Sequence, residues 1–414
     1  MGMMRSWRYR LYPSKVHQQQ LNNHFYECKN LRNFLLENIK KHYEETGEFP
    51  TRKKLYLLTK QTNIFSQLAQ NVADRLYKSI RGMLAKKKLG KKVGFPRFKS
   101  IDRIKSFTYP QFGFRLNNQN LYLSGIGEIN LKMHREMQGN IKTLTIKKTP
   151  SGKYFAIFTT EIETTEPKKN KGAKVGIDLG IENLGYLSDG TIIENPRHLK
   201  KAEEKLKKTQ KKLSNKKKGS KNRRKARLKV AITYEKLVNK RSDFLHKTSR
   251  KLAENYSIIA MENLNVSGLS RKGFLAKHVL DCSQSCSSQR TWCAGNSGSL
   301  PWAEFANMLR YKAEEAGSEV VLVNPAYTSQ KCSSCGLIQK KKLAERWYKC
   351  SCGASMHRDH NAAVNILRRA KCLDLTQSVK QRNILIRGTL GHRETNACGD
   401  DYISSLNETR SPVL

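Results

Sequence analysis

Acidic side chains are scarce in this 414-residue chain: 34 Asp and Glu stand against 79 Lys and Arg, for a formal net charge of +45 at pH 7. A surplus of that size repels basic partners and selects polyanions, nucleic acid first among them. Long hydrophobic runs are missing as well. No stretch reaches the roughly 18 apolar residues of a membrane-spanning helix, and Met1 to Tyr12 sets Arg5, Arg8 and Arg10 among its apolar residues, unlike a secretory leader. A soluble, unexported, cytoplasmic protein with no membrane partner is expected. Ten cysteines in so long a chain make no disulfide framework. Four of them fall between Cys332 and Cys352, a clustering that reads as a metal site. Disorder throughout is excluded in turn, because 14 Phe, 16 Tyr and a hydrophobic fraction of 38% exceed what a disordered basic chain carries. The length predicts two or three folded units.

Alternation of Trp7, Tyr9 and Leu11 predicts a short first strand, stopped at Pro13 and followed by Ser14 as a helix cap. Helical spacing of Leu21, Phe25, Cys28, Leu31 and Leu35, and again of Leu68, Val72, Leu76, Ile80 and Met83, predicts helices with one buried stripe each. The basic, glycine-punctuated run Lys86 to Lys99 suits a loop that tracks phosphates, or a solvated linker. From Phe107 to Glu163 short β-rich segments follow, with a turn at Pro150-Ser151-Gly152. Together these predict a small β-barrel or sandwich with helices inserted after its first strand. A lysine-rich boundary at Glu166 to Lys174 leads into strand, long helix, strand. Residues 200–229 hold sixteen Lys or Arg, read as two basic helices joined at Gly219-Ser220. After Arg369 a frayed or disordered tail is expected.

Asp178 is a lone acid in the apolar strand Val175 to Gly180, which runs on to a hairpin turn at Asp189-Gly190. Burying an unpaired carboxylate costs several kcal/mol, so Asp178 is expected to hold a cation or to accept several hydrogen bonds. Glu262 ends a second apolar strand, Tyr256 to Met261, and Asp359 opens an Ala-rich helix, where a capping role is the simpler alternative. Taken together, Asp178, Glu262 and Asp359 look like an RNase H-type site, in which carboxylates from two strands and a helix hold two Mg2+ (or Mn2+) ions about 4 Å apart for phosphodiester hydrolysis. Mg2+ calls for hard oxygen donors of this kind.

Cys332-Ser333-Ser334-Cys335-Gly336 and Cys350-Ser351-Cys352-Gly353 resemble a zinc ribbon holding structural Zn2+. The second pair is one residue shorter than the usual spacing, which leaves open a metal-free remnant or His357 as a replacement ligand. Cys282, Cys286 and Cys293 read as free thiols in a polar loop.

The motifs Gly176-Ile177-Asp178-Leu179-Gly180, Met261-Glu262-Asn263-Leu264, Tyr327 to Gly336 and Arg358 to Leu367 occur in the order typical of the TnpB (OrfB) family of insertion-sequence proteins, related to compact type V CRISPR effectors. Tyr9 to Pro13, Gly94 to Phe98 and Asn396 to Asp400 extend the resemblance. It implies a multidomain α/β fold: a wedge β-barrel (1–14 and 96–166) with an inserted helical recognition domain (15–95), then an RNase H-like RuvC nuclease domain (172–331 and 354–370) interrupted by a zinc ribbon (332–353), and a tail (371–414). It also implies an RNA-guided DNA endonuclease, a favoured monomer, that binds a guide RNA from the transposon end and cuts double-stranded DNA beside a short target-adjacent motif. Asp178, Glu262 and Asp359 become the catalytic Mg2+ ligands, Cys332, Cys335, Cys350 and Cys352 the Zn2+ ligands, and Gln70 a position near the target-adjacent duplex. A nuclease-inactive guided regulator and a guide-independent resolvase-like nuclease are the competing functions. The stretch from Cys282 to Ser299 is read as an insertion relative to that family.

Overall fold

The computed structural model describes residues 2–163, 167–180, 182–196, 198–264, 301–340 and 345–384. Cys282, Cys286, Cys293, the 282–299 insertion and Asn396 to Asp400 lie outside the described residues. The chain divides into two compact units, Met1–Thr165 with Lys205–Glu235, and Glu166–Glu204 with Lys236–Leu414.

In the first unit, strand β1 (Gly2–Tyr12) buries Trp7, Tyr9 and Leu11 and turns Arg8 and Arg10 to its other face, as a period of two requires. The remaining strands are β2 (Ser106–Tyr109), β3 (Phe114–Asn117), β4 (Asn120–Leu123), β5 (Gly127–Lys132), β6 (Asn140–Lys148) and β7 (Tyr154–Glu163). They form one antiparallel sheet in the order β2-β6-β7-β1-β5-β4-β3, a nearly closed barrel. β1 pairs with β7 from Gly2↔Glu163 to Leu11↔Tyr154, and the Trp7 indole donates to Thr160 Oγ1 at 2.9 Å across that pair.

Helices α1 (Lys15–Thr46), α2 (Arg52–Thr59) and α3 (Ser66–Lys88) follow the first strand. Ser14 caps α1 by accepting from the His17 N–H at 3.2 Å. The α1 stripe serves two cores. Leu21, Phe25 and Cys28 join the barrel interior, whereas Leu31, Leu35 and Ile39 pack with Leu55, Leu76 and Ile80 of the other helices. At about 1.5–3 kcal/mol for each fully buried side chain, this continuity is what seats the helices on the sheet.

The two basic helices fall where the spacing predicts, α4 (His198–Ser214) and α5 (Lys221–Asn255), with Gly219 at φ 87° in the turn. The Arg223 guanidinium donates to the Leu213 and Lys216 carbonyls and closes the end of α4. α5 runs well past residue 229, because Leu237, Leu245, Leu252 and Ala253 supply a buried stripe that the basic segment lacks.

The second unit is built on a five-stranded sheet in the order β10-β9-β8-β11-β12. Its strands are β8 (Ala173–Leu179), β9 (Gly185–Leu187), β10 (Ile192–Ile193), β11 (Tyr256–Glu262) and β12 (Glu319–Val323). β11 is parallel to both β8 and β12, while β9 is antiparallel to β8 and to β10. Val175, Ile177, Ile259 and Met261 pack against Trp302, Phe305 and Leu309 of α6 (Pro301–Ala316). A two-stranded ribbon, β13 (Trp347–Lys349) with β14 (Ser355–His357), precedes α7 (Arg358–Ile384). α7 continues to Ile384, past the point where an irregular tail is expected, and residues 385–414 lie outside the described residues. Among the described residues no helix is long and apolar enough to cross a membrane.

Candidate active site and metal centre

Asp178 and Glu262 sit at the ends of neighbouring parallel strands, one step beyond the Ile177↔Met261 pair. Gly176 shares a face with Asp178, and Ala260 shares one with Glu262. Both of those small residues lie under α7. Ala260 packs with Ile366 and Ala370. A methyl group added to Gly176 would stand 2.1 Å from the Ala363 carbonyl oxygen and 2.8 Å from the Leu367 nitrogen. Glycine therefore lets helix and sheet approach closely, and Asp359, one turn before Ala363, comes down beside Asp178.

The charges of the other two acids bear on Asp178. Burial pushes the Asp178 carboxyl well above the ordinary carboxylate range, and the negative charges of Glu262 and Asp359 push it further, against the pull of Arg358. Burial also raises Glu262, against a donated hydrogen bond from Thr328 (Oγ1 to Oε1, 2.5 Å) and the charge of Arg369. Such a surplus of hard, partly desolvated oxygen donors fits divalent cations of the Mg2+ type. Among the described residues, only the four cysteines bring their ligand atoms within 4.8 Å of one another. The carboxylates are spread more widely than one ion's inner shell.

Sequence patterns did not single out several residues that organise this site. Arg346, just before β13, lies 4.0 Å from an Asp359 oxygen and 3.3 Å from a Glu182 oxygen. Thr328 is buried, and the following loop is clamped to α7. Asn365 donates to the Thr328 and Lys331 carbonyls at 2.9 and 2.6 Å, while Asn361 accepts from the Ser333 N–H and donates to the Lys331 carbonyl, each at 2.8 Å. Buried polar pairs of this kind fix one register of loop against helix. A usable signal existed: two asparagines four apart on an otherwise Ala-rich helix face. Gln70 lies exposed on α3, in the first unit.

All four predicted cysteines converge. The Cys332–Cys352 and Cys335–Cys350 sulfur separations are 3.8 and 3.5 Å, close to the edge of about 3.8 Å that a tetrahedron of Zn–S bonds near 2.3 Å requires. The short second pair is absorbed by a tighter turn. Gly336 N–H donates to the Cys332 carbonyl four residues back, whereas Gly353 N–H donates to the Cys350 carbonyl three back, both at 3.0 Å, and both glycines take positive φ. Although burial opposes it, the Cys335 and Ser334 N–H groups lower Cys332 to about 6. Cys335 is pushed up to about 12 by the neighbouring thiols, even though the Leu337 N–H lowers it. Holding all four sulfurs as thiolates at this spacing would take a cation among them. His357 is engaged elsewhere: its ring stacks on Tyr186 at 4.7 Å, and its Nδ1 accepts from the Asp359 N–H at 3.3 Å.

Comparison with known proteins agrees with these features. The family model OrfB_IS605, described as "Probable transposase", matches residues 157–273, and a Cas12f1-like TNB domain model matches residues 302–366. A Streptomyces pristinaespiralis protein, provisionally named an RNA-guided DNA endonuclease, is 31% identical over 374 residues, 88% of each chain. InsQ of Escherichia coli K12, provisionally named likewise, is 30% identical over 283 residues, 67% of this chain and 69% of that one. The fold resembles the protein in the cryo-EM structure of a Cas12f1-sgRNA-target DNA complex, with a TM-score of 0.54 at 13% identity over 88% of this chain and 99% of that one. With order of motifs, fold and relatives matched over two thirds or more of the chain in agreement, the chain belongs to the TnpB (OrfB) family of insertion-sequence proteins.

Proposed function

We propose that the protein is an RNA-guided DNA endonuclease that hydrolyses a phosphodiester beside a short target-adjacent motif, at an RNase H-like RuvC site. The observation that carries this reading is the convergence of Asp178, Glu262 and Asp359 on the α7 face of the second sheet, from two strands and a helix, each intact. Two relatives, matched over 88% and 67% of this chain, carry that activity in their names.

Asp178, Glu262 and Asp359 would hold two Mg2+ ions, which when bound supply an activated water and charge neutralisation at the leaving 3′ oxygen. The chain's own part is to keep the donors ready. Thr328 favours the ionised form of Glu262 by donating to its carboxylate, against the effect of burial, and the Asn361 and Asn365 clamps hold the Thr328 loop to the helix that carries Asp359. Arg346 balances the carboxylate charge from the ribbon side, at a distance that leaves room for a phosphate group to compete for it. Cys332, Cys335, Cys350 and Cys352 would bind one structural Zn2+ and so fix the ribbon that carries Arg346. The wedge barrel, the helices inserted in it and the basic helices α4 and α5 would hold the guide RNA and its heteroduplex through their phosphates, leaving base pairing to choose the target.

The test is to sequence the RNA that copurifies with the protein, then to present a target library with randomised flanks in Mg2+. Cleavage beside one enriched motif, lost in Asp178→Ala with RNA and target binding nearly unchanged, is the expected outcome. Motif-dependent binding without a cut would make the protein a guided regulator, and cleavage indifferent to RNase and guide would make it a resolvase-like nuclease.

A further inference from the structure

Three aromatic rings line up beside the carboxylates. Tyr186 is the β9 partner of Asp178 across an antiparallel pair, and directly opposed residues share a face, so its ring lies on the face that carries the acids. His357 stacks on Tyr186 with centroids 4.7 Å apart and planes 15° apart. Trp347, paired with His357 across β13 and β14, meets its edge at 6.4 Å and 69°. The Tyr186 hydroxyl is tied down by Asn183, whose side-chain amide donates to it at 2.9 Å. One member stands out by exposure. Trp7 and Trp302 are 4% and 7% exposed, but Trp347 is 59% exposed, on a short ribbon where a smaller apolar residue would complete the same cross-strand contact.

A large indole left in water beside a carboxylate cluster calls for an occupant, and chemistry limits the choice. The neighbouring ribbon is basic, with Arg346 adjoining Trp347 and Lys349 two residues on, so a polyanion is favoured over an acid-repelled or neutral surface. A π-face accepts any nucleobase, and a base can reach it only from a strand that is not paired. We propose that Trp347, His357 and Tyr186 form a shelf on which bases of a single nucleic-acid strand stack, setting the phosphate between them against the carboxylates. The shelf rests on the proposed nuclease function for its purpose but not for its binding, since stacking needs no divalent ion. Tyr186 stands on β9, paired with the β8 strand that carries Asp178, and Trp347 and His357 stand on the ribbon, whose last residue directly precedes the helix that carries Asp359, so a stacked base and a phosphate at the acids would be held in one frame.

The test uses the full chain with its copurifying RNA, in EDTA, and short single-stranded DNA carrying 5-iodouracil, which crosslinks on irradiation to aromatic rings stacked on it. The adducts are mapped by mass spectrometry. Crosslinks at Trp347 or Tyr186 are expected. Trp347→Leu, which keeps apolar bulk without a π-face, should lower crosslink yield and strand affinity about tenfold, and Trp347→Phe should restore most of both. Melting midpoint and zinc content measured on both variants distinguish a lost π-face from a disturbed ribbon. Absence of adducts at Trp347, Tyr186 and His357 in the parent protein, or a Leu variant that binds and crosslinks like the parent, overturns the shelf. Cleavage is scored separately in Mg2+: a parent that crosslinks at the shelf without cutting defeats the nuclease reading alone, and one that cuts without such adducts defeats the shelf alone.

Discussion

At the scale of single residues, the site stores unfavourable charge. The folded chain raises the Asp178 pKa, so it retains a proton that the unfolded chain has already lost. Stability without metal must then fall as pH climbs from the ordinary carboxylate pKa towards the raised one. Asp178→Asn keeps the shape and removes the charge. In EDTA near neutral pH its melting midpoint should exceed the parent's by about 2 °C or more, with the gap closing as the pH is lowered. Calorimetry across pH checks this, and a midpoint at or below the parent's at neutral pH would show that Asp178 is satisfied by something other than a cation. Thr328 works in the opposite sense, holding Glu262 down by a donated hydrogen bond. Thr328→Val should move the acidic limb of the pH–rate profile to higher pH and cut the rate near neutrality about tenfold, the equivalent of one hydrogen bond to a charged group. Thr328→Ser should keep the parent profile.

Between elements, the site depends on how closely α7 approaches β8. Gly176 has ordinary φ, so its role is space and not backbone freedom. Gly176→Ala must push the Ala363 carbonyl and the Leu367 amide aside, neither of which is the end of a flexible side chain. The expected cost is about 1–3 kcal/mol, with Asp359 displaced and cleavage reduced more than stability alone explains. Gly94→Ala, whose methyl group meets nothing within 4 Å, is the matching control. Equal behaviour of the two variants in melting and cleavage assays would separate the helix contact from the site.

For the whole molecule, the charge of +45 governs association. If the guide RNA is held chiefly by its phosphates, its affinity should fall by about 10³ or more between 50 and 200 mM salt, in a straight line on logarithmic axes. A shallow line in a filter-binding titration would mean that base contacts or apolar surfaces dominate instead.

Much of this was legible in the order of residues. Alternation gave the strand through Trp7, Tyr9 and Leu11, helical spacing gave α1 and α3, and acids placed at strand ends and a helix start marked Asp178, Glu262 and Asp359, because periodicity and capping act over a few neighbours. Cysteine spacing marked the four thiols that cluster but left the short second pair open, since only the folded turn shows that a bond three residues back closes what four does in the first. Thr328, Arg346 and the Tyr186–His357–Trp347 rings carried no local signal: each matters through a partner far along the chain, brought near by strand pairing and by the Gly176 contact. Sequence by itself determined the elements, the charge and the donor atoms. Only tertiary structure decided which of those donors share a face and which neighbours set their charge, because desolvation and Coulomb energy depend on distance in space.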